Sequence, residues 1–466
     1  MYPNLYYAFS DLFGWAPHWL QFINSFGFFV ALSFIAAAVV LTKELIRKER
    51  EGLLQSREEL VLIGKPASPV ELILNFILGF ILGFKLVGLF LTGPDPNFKV
   101  QDYILSGQGN WVAGLALGVL FAGLKWWEKN KQKLPQPQEK TIRIWPHDRV
   151  GDLTIFAFIF GFVGAKIFNS FETWDDFVRD PMGSLFSFSG LTFYGGLICA
   201  ALAIWWYARK HGIGFWQLND AAAPGLMLAY AIGRIGCQVA GDGDWGILNS
   251  AYITDPRTGK AILAQPGDFE RITHIYQTIY APEFKGLENI PHLAVKAPGF
   301  LPNWLFAYSY PHNVLGMGAR LPLCEGEYCS QLPIPVFPTP VYETLMCLGL
   351  FFILWAIRKR LRTPGKLFGI YLILNGIERF VIEHIRVNSK YDFLPGHPTQ
   401  AEVISSALVL SGVAILWALN RRGRSPGQNI SPGSNASSGA NASSRANASP
   451  GAHASPGANE ALTSAG

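Results

Sequence analysis

Long apolar runs separated by short polar connections dominate this chain. About 20 apolar residues carry a helix across a bilayer. Nine runs approach that length, at 22–42, 70–92, 103–124, 152–170, 184–207, 219–240, 340–357, 367–383 and 403–420. The pattern predicts an all-α, polytopic integral membrane protein with about nine transmembrane helices. It divides the chain into an N-terminal segment (1–21), six helices (22–240), a long loop (241–339), three more helices (340–421) and a tail (422–466). The loop holds polar, aromatic and Pro-rich stretches such as IPHLAVKAPGFLPNW and is expected to be a small ordered insertion. The tail is Ser, Gly, Ala, Asn and Pro; it cannot bury a core and is expected to be disordered.

Basic residues orient such a chain, because they concentrate in cytoplasmic connections. They follow the odd-numbered runs: Lys43, Arg47, Lys48 and Arg50 after the first, Lys125 to Arg149 after the third, Arg209 and Lys210 after the fifth, Arg358 to Lys366 after the seventh, and Arg421 and Arg422 after the ninth. Connections after even-numbered runs are poor in positive charge. The N-terminus and the insertion are therefore expected outside, and the C-terminus and tail inside. Composition fits a chain whose solvent is partly lipid. Half of the 466 residues are hydrophobic and 15% are charged, against about 25% charged in soluble domains. The first twenty residues lack a basic n-region and a small-residue cleavage site, so the first run reads as a retained span. Five scattered cysteines indicate neither a disulfide scaffold nor a zinc site. Cys324 and Cys329 are spaced to form a local disulfide outside, or to stay as free thiols.

One repeat is visible. GFILGFKLVGLF (79–90) with WVAGLALGVLFAGLKWW (111–127) parallels GFVGAKIF (161–168) with FYGGLICAALAIWW (193–206). Gly83 and Lys85 match Gly164 and Lys166, and Gly114 matches Gly196, which suggests a duplicated helix pair. Ionisable residues inside spans are costly and mark function by default. With the predicted orientation, Lys166, Arg234, Glu343, Arg379, Glu383, Arg386 and Glu402 all fall near the outer ends of their helices, together with Tyr194, Gly195, Gly196, Asp242, Asp244 and Tyr342. Arg379, Glu383 and Arg386 follow i, i+4 and i+7 and share one helix face. Two guanidiniums around a carboxylate suit an anionic headgroup, because Arg pairs bidentately with phosphate; the same face also suits an interhelical ion network.

GRIGCQVAGDGDWG (233–246) resembles the signature GRxGNFxNGExxG of prolipoprotein diacylglyceryl transferases. Four stretches resemble further family motifs in the family's order: GAKIFNSFETWDDFVRDP (164–181), GLTFYGGLI (190–198), PTPVYE (338–343) and ERFVIEHIR (378–386). SFGFFVALSF (25–34) and HPTQAEVIS (397–405) are weaker matches. The resemblance leaves out spans two and three, the insertion and the tail. The family core has seven spans, which nine less a duplicated pair reproduces.

The resemblance implies transfer of the diacylglyceryl group of phosphatidylglycerol to the lipobox cysteine of prolipoproteins, at the outer face of the bacterial inner membrane. Phosphatidylglycerol, prolipoprotein signal peptides and membrane lipid are the implied partners; no cofactor, metal or nucleic acid is expected. By matching position, Arg234 and Arg379 are phosphate ligands, with Glu383 and Arg386 organising them. Asp242 or Asp244 takes the place of the signature's acid, and Tyr342 and Glu343 line the opposite wall. Lys166, Gly195, Gly196 and Glu402 complete the substrate-binding set. The chain also departs from the family: its His is Tyr194 here, and the signature's two Asn are Cys237 and Ala240. The base is thus left open among Tyr194, Asp242, Asp244, Glu383 and His384, or solvent. A non-catalytic relative that binds anionic lipid, and a small-solute transporter, are the competing readings. A transporter site is expected near the midplane rather than at one face.

Overall fold

The computed structural model describes residues 1–92, 103, 106–186, 192–284, 286–322, 324, 326–387 and 398–422. The expected disordered tail after 422 lies outside the described residues. The long helical segments among them are α1 (Ser25–Arg50), α2 (Pro69–Ile81, continued by a π-helical turn Leu82–Val87 and by Gly88–Thr92), α3 (Trp111–Lys131), α4 (Val150–Glu172), α5 (Phe193–Lys210), α6 (Phe215–Ala240), α7 (Thr339–Ile357), α8 (Lys366–Glu383) and α9 (Gln400–Arg422). Five of these, α1, α2, α4, α7 and α9, are long and apolar enough to cross a membrane. Two boundaries differ clearly from the hydropathy pattern. The third helix starts at 111, not 103, where Asn110 caps it by accepting from the Ala113 amide. The fifth starts at 193, not 184, and short helices at Trp174–Arg179 and Pro181–Phe186 precede it.

Helix α6 packs against α1, α7 and α8, while α8 pairs with α9, α4 with α5, and α2 with α3. Small residues permit these approaches, as membrane helices require in the absence of a hydrophobic drive between them. A Cβ at Gly164 would lie 2.6 Å from the Gly195 carbonyl oxygen, and one at Gly376 would lie 2.7 Å from that of Ser405. The two pairs α2–α3 and α4–α5 share a further feature. Lys85 donates to the carbonyl of Tyr103 and Lys166 to that of Ser184, each 18 residues onward. The repeat seen in the sequence therefore extends to a carbonyl partner of each lysine.

An all-α fold misses the strands. Arg57–Ile63 (β1) and Gln138–Ile144 (β2) pair antiparallel, with Arg57 opposite Ile144 and Ile63 opposite Gln138. Both mix charged residues with Val, Ile, Leu or Thr in a seven-residue segment, which fits a solvated two-stranded ribbon. The ribbon brackets α2–α3. Glu58 faces Arg143 across it at 3.0 Å, and Arg57 donates to the Lys210 carbonyl at the end of α5.

Between α6 and α7 the chain builds a small unit around Tyr252, Tyr310, Ile334 and Val336, with short strands, helices Asp268–Ile275 and Gln277–Phe284, and a Cys324–Cys329 disulfide. Its backbone is tied to the helix ends. Ile247 N–H donates to the Ile385 carbonyl (2.9 Å) and Gly246 N–H to the Phe337 carbonyl (2.8 Å). These bonds draw the ends of α6, α7 and α8 together.

Candidate active site

Helix α6 carries Tyr230, Arg234 and Cys237 at i, i+4 and i+7, on one face. It ends at Gly241 (φ +66°), and Gly243 (φ +95°) lets the chain turn again. The turn brings Asp244 back onto Arg234, with which it forms an ion pair. Thr339 at the start of α7 fixes this loop by donating to the Asp244 carbonyl (2.8 Å).

Glu343, fully buried on α7, is the hub. Its carboxylate faces Arg234 Nε at 2.8 Å, Arg386 Nη1 at 3.3 Å and Arg379 Nη1 at 3.8 Å. It also accepts from the Tyr230 hydroxyl at 2.6 Å. Arg386 Nη2 reaches Asp244 at 2.5 Å, and Arg379 Nη2 reaches Glu383 at 3.1 Å. Thr399, before α9, donates to Glu383 at 2.6 Å. Three guanidiniums and three carboxylates from α6, α7, α8 and the flanking loops thus form one network. Two of its buried donor atoms, Arg379 Nη1 and Arg386 Nε, have no hydrogen-bond partner. A buried donor left unmade is costly, and an incoming anion with several acceptor oxygens satisfies both.

The two acids of the loop differ. Burial pushes the Asp244 carboxyl up, but the Arg234 and Arg386 guanidiniums outweigh it and hold it down at about 2. Burial and then the charge of Asp244 push the Asp242 carboxyl above its ordinary value. Asp244 is the structural acid of the network, and Asp242 is the one whose carboxyl gives up its proton less readily than an ordinary aspartate. Cys237 Sγ and the carboxylates of Asp242 and Asp244 gather within 4.8 Å. With both Asp244 oxygens held by guanidiniums, two donors remain, fewer than the three protein ligands of typical zinc sites.

The structure thus brings together Arg234, Asp244, Glu343, Arg379, Glu383 and Arg386, with Asp242 beside them. The other sequence candidates serve different contacts. Gly195 and Gly196 allow α5 to close on α4 at Gly164 and Gly161, and Tyr194 stands just before them in the first turn of α5. Lys166 is buried on α4 and reaches the Ser184 carbonyl at 3.3 Å. Tyr342 does not turn its hydroxyl to the network; it donates to the Leu305 carbonyl of the insertion. Glu402 caps α9, accepting from the Thr399 amide at 2.9 Å. Tyr230, Thr339, Thr399 and Glu378 were missed from sequence. Two of them carried a signal: Tyr230 lies one helical turn before Arg234, and Glu378 is an ionisable residue inside a span.

Residues 111–418 match the model of the family described as prolipoprotein diacylglyceryl transferase. The chain belongs to that family. The match takes in α3 and the insertion, which the motif comparison left out, and does not reach the weaker motif at 25–34. Named relatives are similar at low identity. The phosphatidylglycerol–prolipoprotein diacylglyceryl transferase of Pseudomonas paraeruginosa is 24% identical over 289 residues, 60% of this chain and 81% of the relative. That of Dehalococcoides mccartyi strain BAV1 is 27% identical over 269 residues, 58% of this chain and 75% of the relative. That of Shouchella clausii is 25% identical over 287 residues, covering 61% and 79%. The apolar helices and the family together make this a multi-pass membrane protein of the lipoprotein-biosynthesis transferases.

Proposed function

We propose that this chain transfers the diacylglyceryl group of phosphatidylglycerol to the lipobox cysteine thiol of prolipoproteins, at the outer face of a bacterial inner membrane. The observation that carries this reading is the pair of buried guanidinium donors that make no hydrogen bond, Arg379 Nη1 and Arg386 Nε, beside the Glu343 hub. In this reading all nine long helical segments cross the bilayer, the N-terminus and the 241–339 insertion lie outside, and the C-terminus lies inside.

The thiolate sulfur attacks the glyceryl carbon that bears the phosphate. The S–C bond forms, the C–O bond breaks, and its electron pair leaves on the phosphate oxygen, releasing glycerol phosphate. Donors placed where that charge develops lower the barrier, which is the role of Arg234, Arg379 and Arg386. Only the thiolate is a good nucleophile, so the thiol proton must leave first. Asp242, whose carboxyl is raised by burial and by Asp244, is the base this geometry favours. Tyr194, Glu383 and His384 are the remaining side-chain candidates. Membranes holding the protein are expected to convert a lipobox prolipoprotein to the thioether form when phosphatidylglycerol is supplied, and the gene to rescue cells depleted of their own transferase. Equal conversion without the protein, or no rescue, removes the assignment. Tyr194, Cys237 and Ala240, which replace the family's His and two Asn, favour a second reading as a lipid-binding relative. Phosphatidylglycerol binding without conversion would establish it.

A further inference from the structure

Glu378 lies on α8 beside Arg379 and is 1% exposed. Both of its carboxyl oxygens are shut off from solvent and have no hydrogen-bond partner. Charged and titratable groups face it from the helices around it. These are Tyr230 and Arg234 on α6, Glu343 and Cys347 on α7, Tyr371 and Arg379 on its own helix, and Arg386 just beyond. On α9, Glu402 is engaged at the Thr399 cap. None of these guanidiniums pairs with Glu378. Arg234, Arg379 and Arg386 are matched to Asp244, Glu343 and Glu383. A carboxylate in this position would be a buried charge without donor or counter-ion, among the most costly arrangements a folded chain can hold. It would also add a further negative charge beside the place where a phosphodiester must enter.

We propose that Glu378 is a positioning residue of the transfer site, held as an uncharged acid, which keeps the three guanidiniums balanced by three carboxylates so that one phosphodiester anion is admitted. The proposal rests on the phosphatidylglycerol reading above. An ionised Glu378 would compete with the donor lipid for Arg379 and Arg234 through space, without touching the lipid. Its charge state therefore acts on donor binding rather than on the chemical step.

Infrared difference spectra of the purified full-length protein, wild type minus Glu378→Gln, test this. The expected result is the loss of one carboxylic-acid carbonyl band at neutral pH. Loss of a carboxylate band instead overturns the proposal. So does a tenfold rise in KM for phosphatidylglycerol with kcat retained, since a neutral isostere would then not serve. Should the variant fail to accumulate, wild-type calorimetry decides. Binding of short-chain phosphatidylglycerol, measured in two buffers of different ionisation enthalpy, is expected to take up no proton. Uptake of one proton per lipid overturns the proposal. If the lipid fails to bind while the acid band is present, the uncharged acid is upheld and the phosphatidylglycerol reading falls instead.

Discussion

Helices α6, α7 and α8 carry a charged cluster at each end, and the two are built differently. At the end away from the insertion, Glu44 pairs with Arg47 and with Arg358, while Lys48 donates to Gln217 at 2.6 Å and faces Asp220 at 3.8 Å. Asp220 in turn accepts from the Gly365 and Phe368 amides, both at 2.8 Å, and so caps α8. None of these side chains keeps a buried polar atom without a partner. At the insertion end, Glu378, Arg379 and Arg386 all do. A closed network has nothing left to offer a ligand; an incomplete one has. Charge at a helix end is therefore not itself the functional signal. In the proposed function, the unmade hydrogen bonds are.

The sharpest way to break this contrast is Arg379→Ala. Removing one donor that stabilises developing charge should lower transfer by about 10²–10³-fold while the protein remains folded. A loss below tenfold, read from prolipoprotein conversion, would make this cluster as structural as its counterpart. Asp220→Ala should do the reverse. It strips α8 of its cap and leaves Lys48 buried, so stability should fall by about 3 kcal/mol with kcat retained in the protein that survives. Thermal unfolding in detergent checks it, and lost turnover at unchanged stability would erase the distinction. Asp242→Asn should slow transfer by about 10²-fold, the usual worth of a general base. Because a base must be ionised and this carboxyl is raised, the wild-type rate should fall on acidification at a higher pH than an ordinary aspartate gives, and the variant should lose that limb.

Asp244 tests the electrostatics directly. Its carboxyl sits at about 2 in the fold, against an ordinary 3.8. The unfolded chain therefore binds its proton more readily than the folded one, and the carboxylate stabilises the fold above that ordinary value. The contribution disappears as pH falls from 3.8 to about 2. Unfolding measured across that interval should be steeper in pH for wild type than for Asp244→Asn. The smallest effect belongs to neither cluster. Arg143→Ala breaks the exposed Glu58 pair on the ribbon and should change stability by no more than about 0.5 kcal/mol.

Much of this was legible in the sequence. Hydropathy located the long helices, because apolar runs of that length have few other uses. The i, i+4, i+7 spacing of Arg379, Glu383 and Arg386 placed them on one face, and the signature singled out Arg234. Two things were hidden. Glu343 reads from sequence as one wall residue among several, since nothing local says that three guanidiniums from two other elements converge on it. Lys48 and Arg358 read as markers of a cytoplasmic edge, yet Lys48 is 4% exposed, because its partners Gln217 and Asp220 lie far along the chain. The extra residue in GDGDWG left Asp242 and Asp244 interchangeable until the positive φ at Gly241 and Gly243 fixed which one turns back.

The β1–β2 ribbon has a consequence of its own. By zipping entry to exit, it makes the α2–α3 hairpin a cassette: whatever is threaded between the two strands leaves the spacing of α1 and α4 untouched. A copied hairpin can therefore be spliced into such a chain, or trimmed from it, without retuning the helices around it.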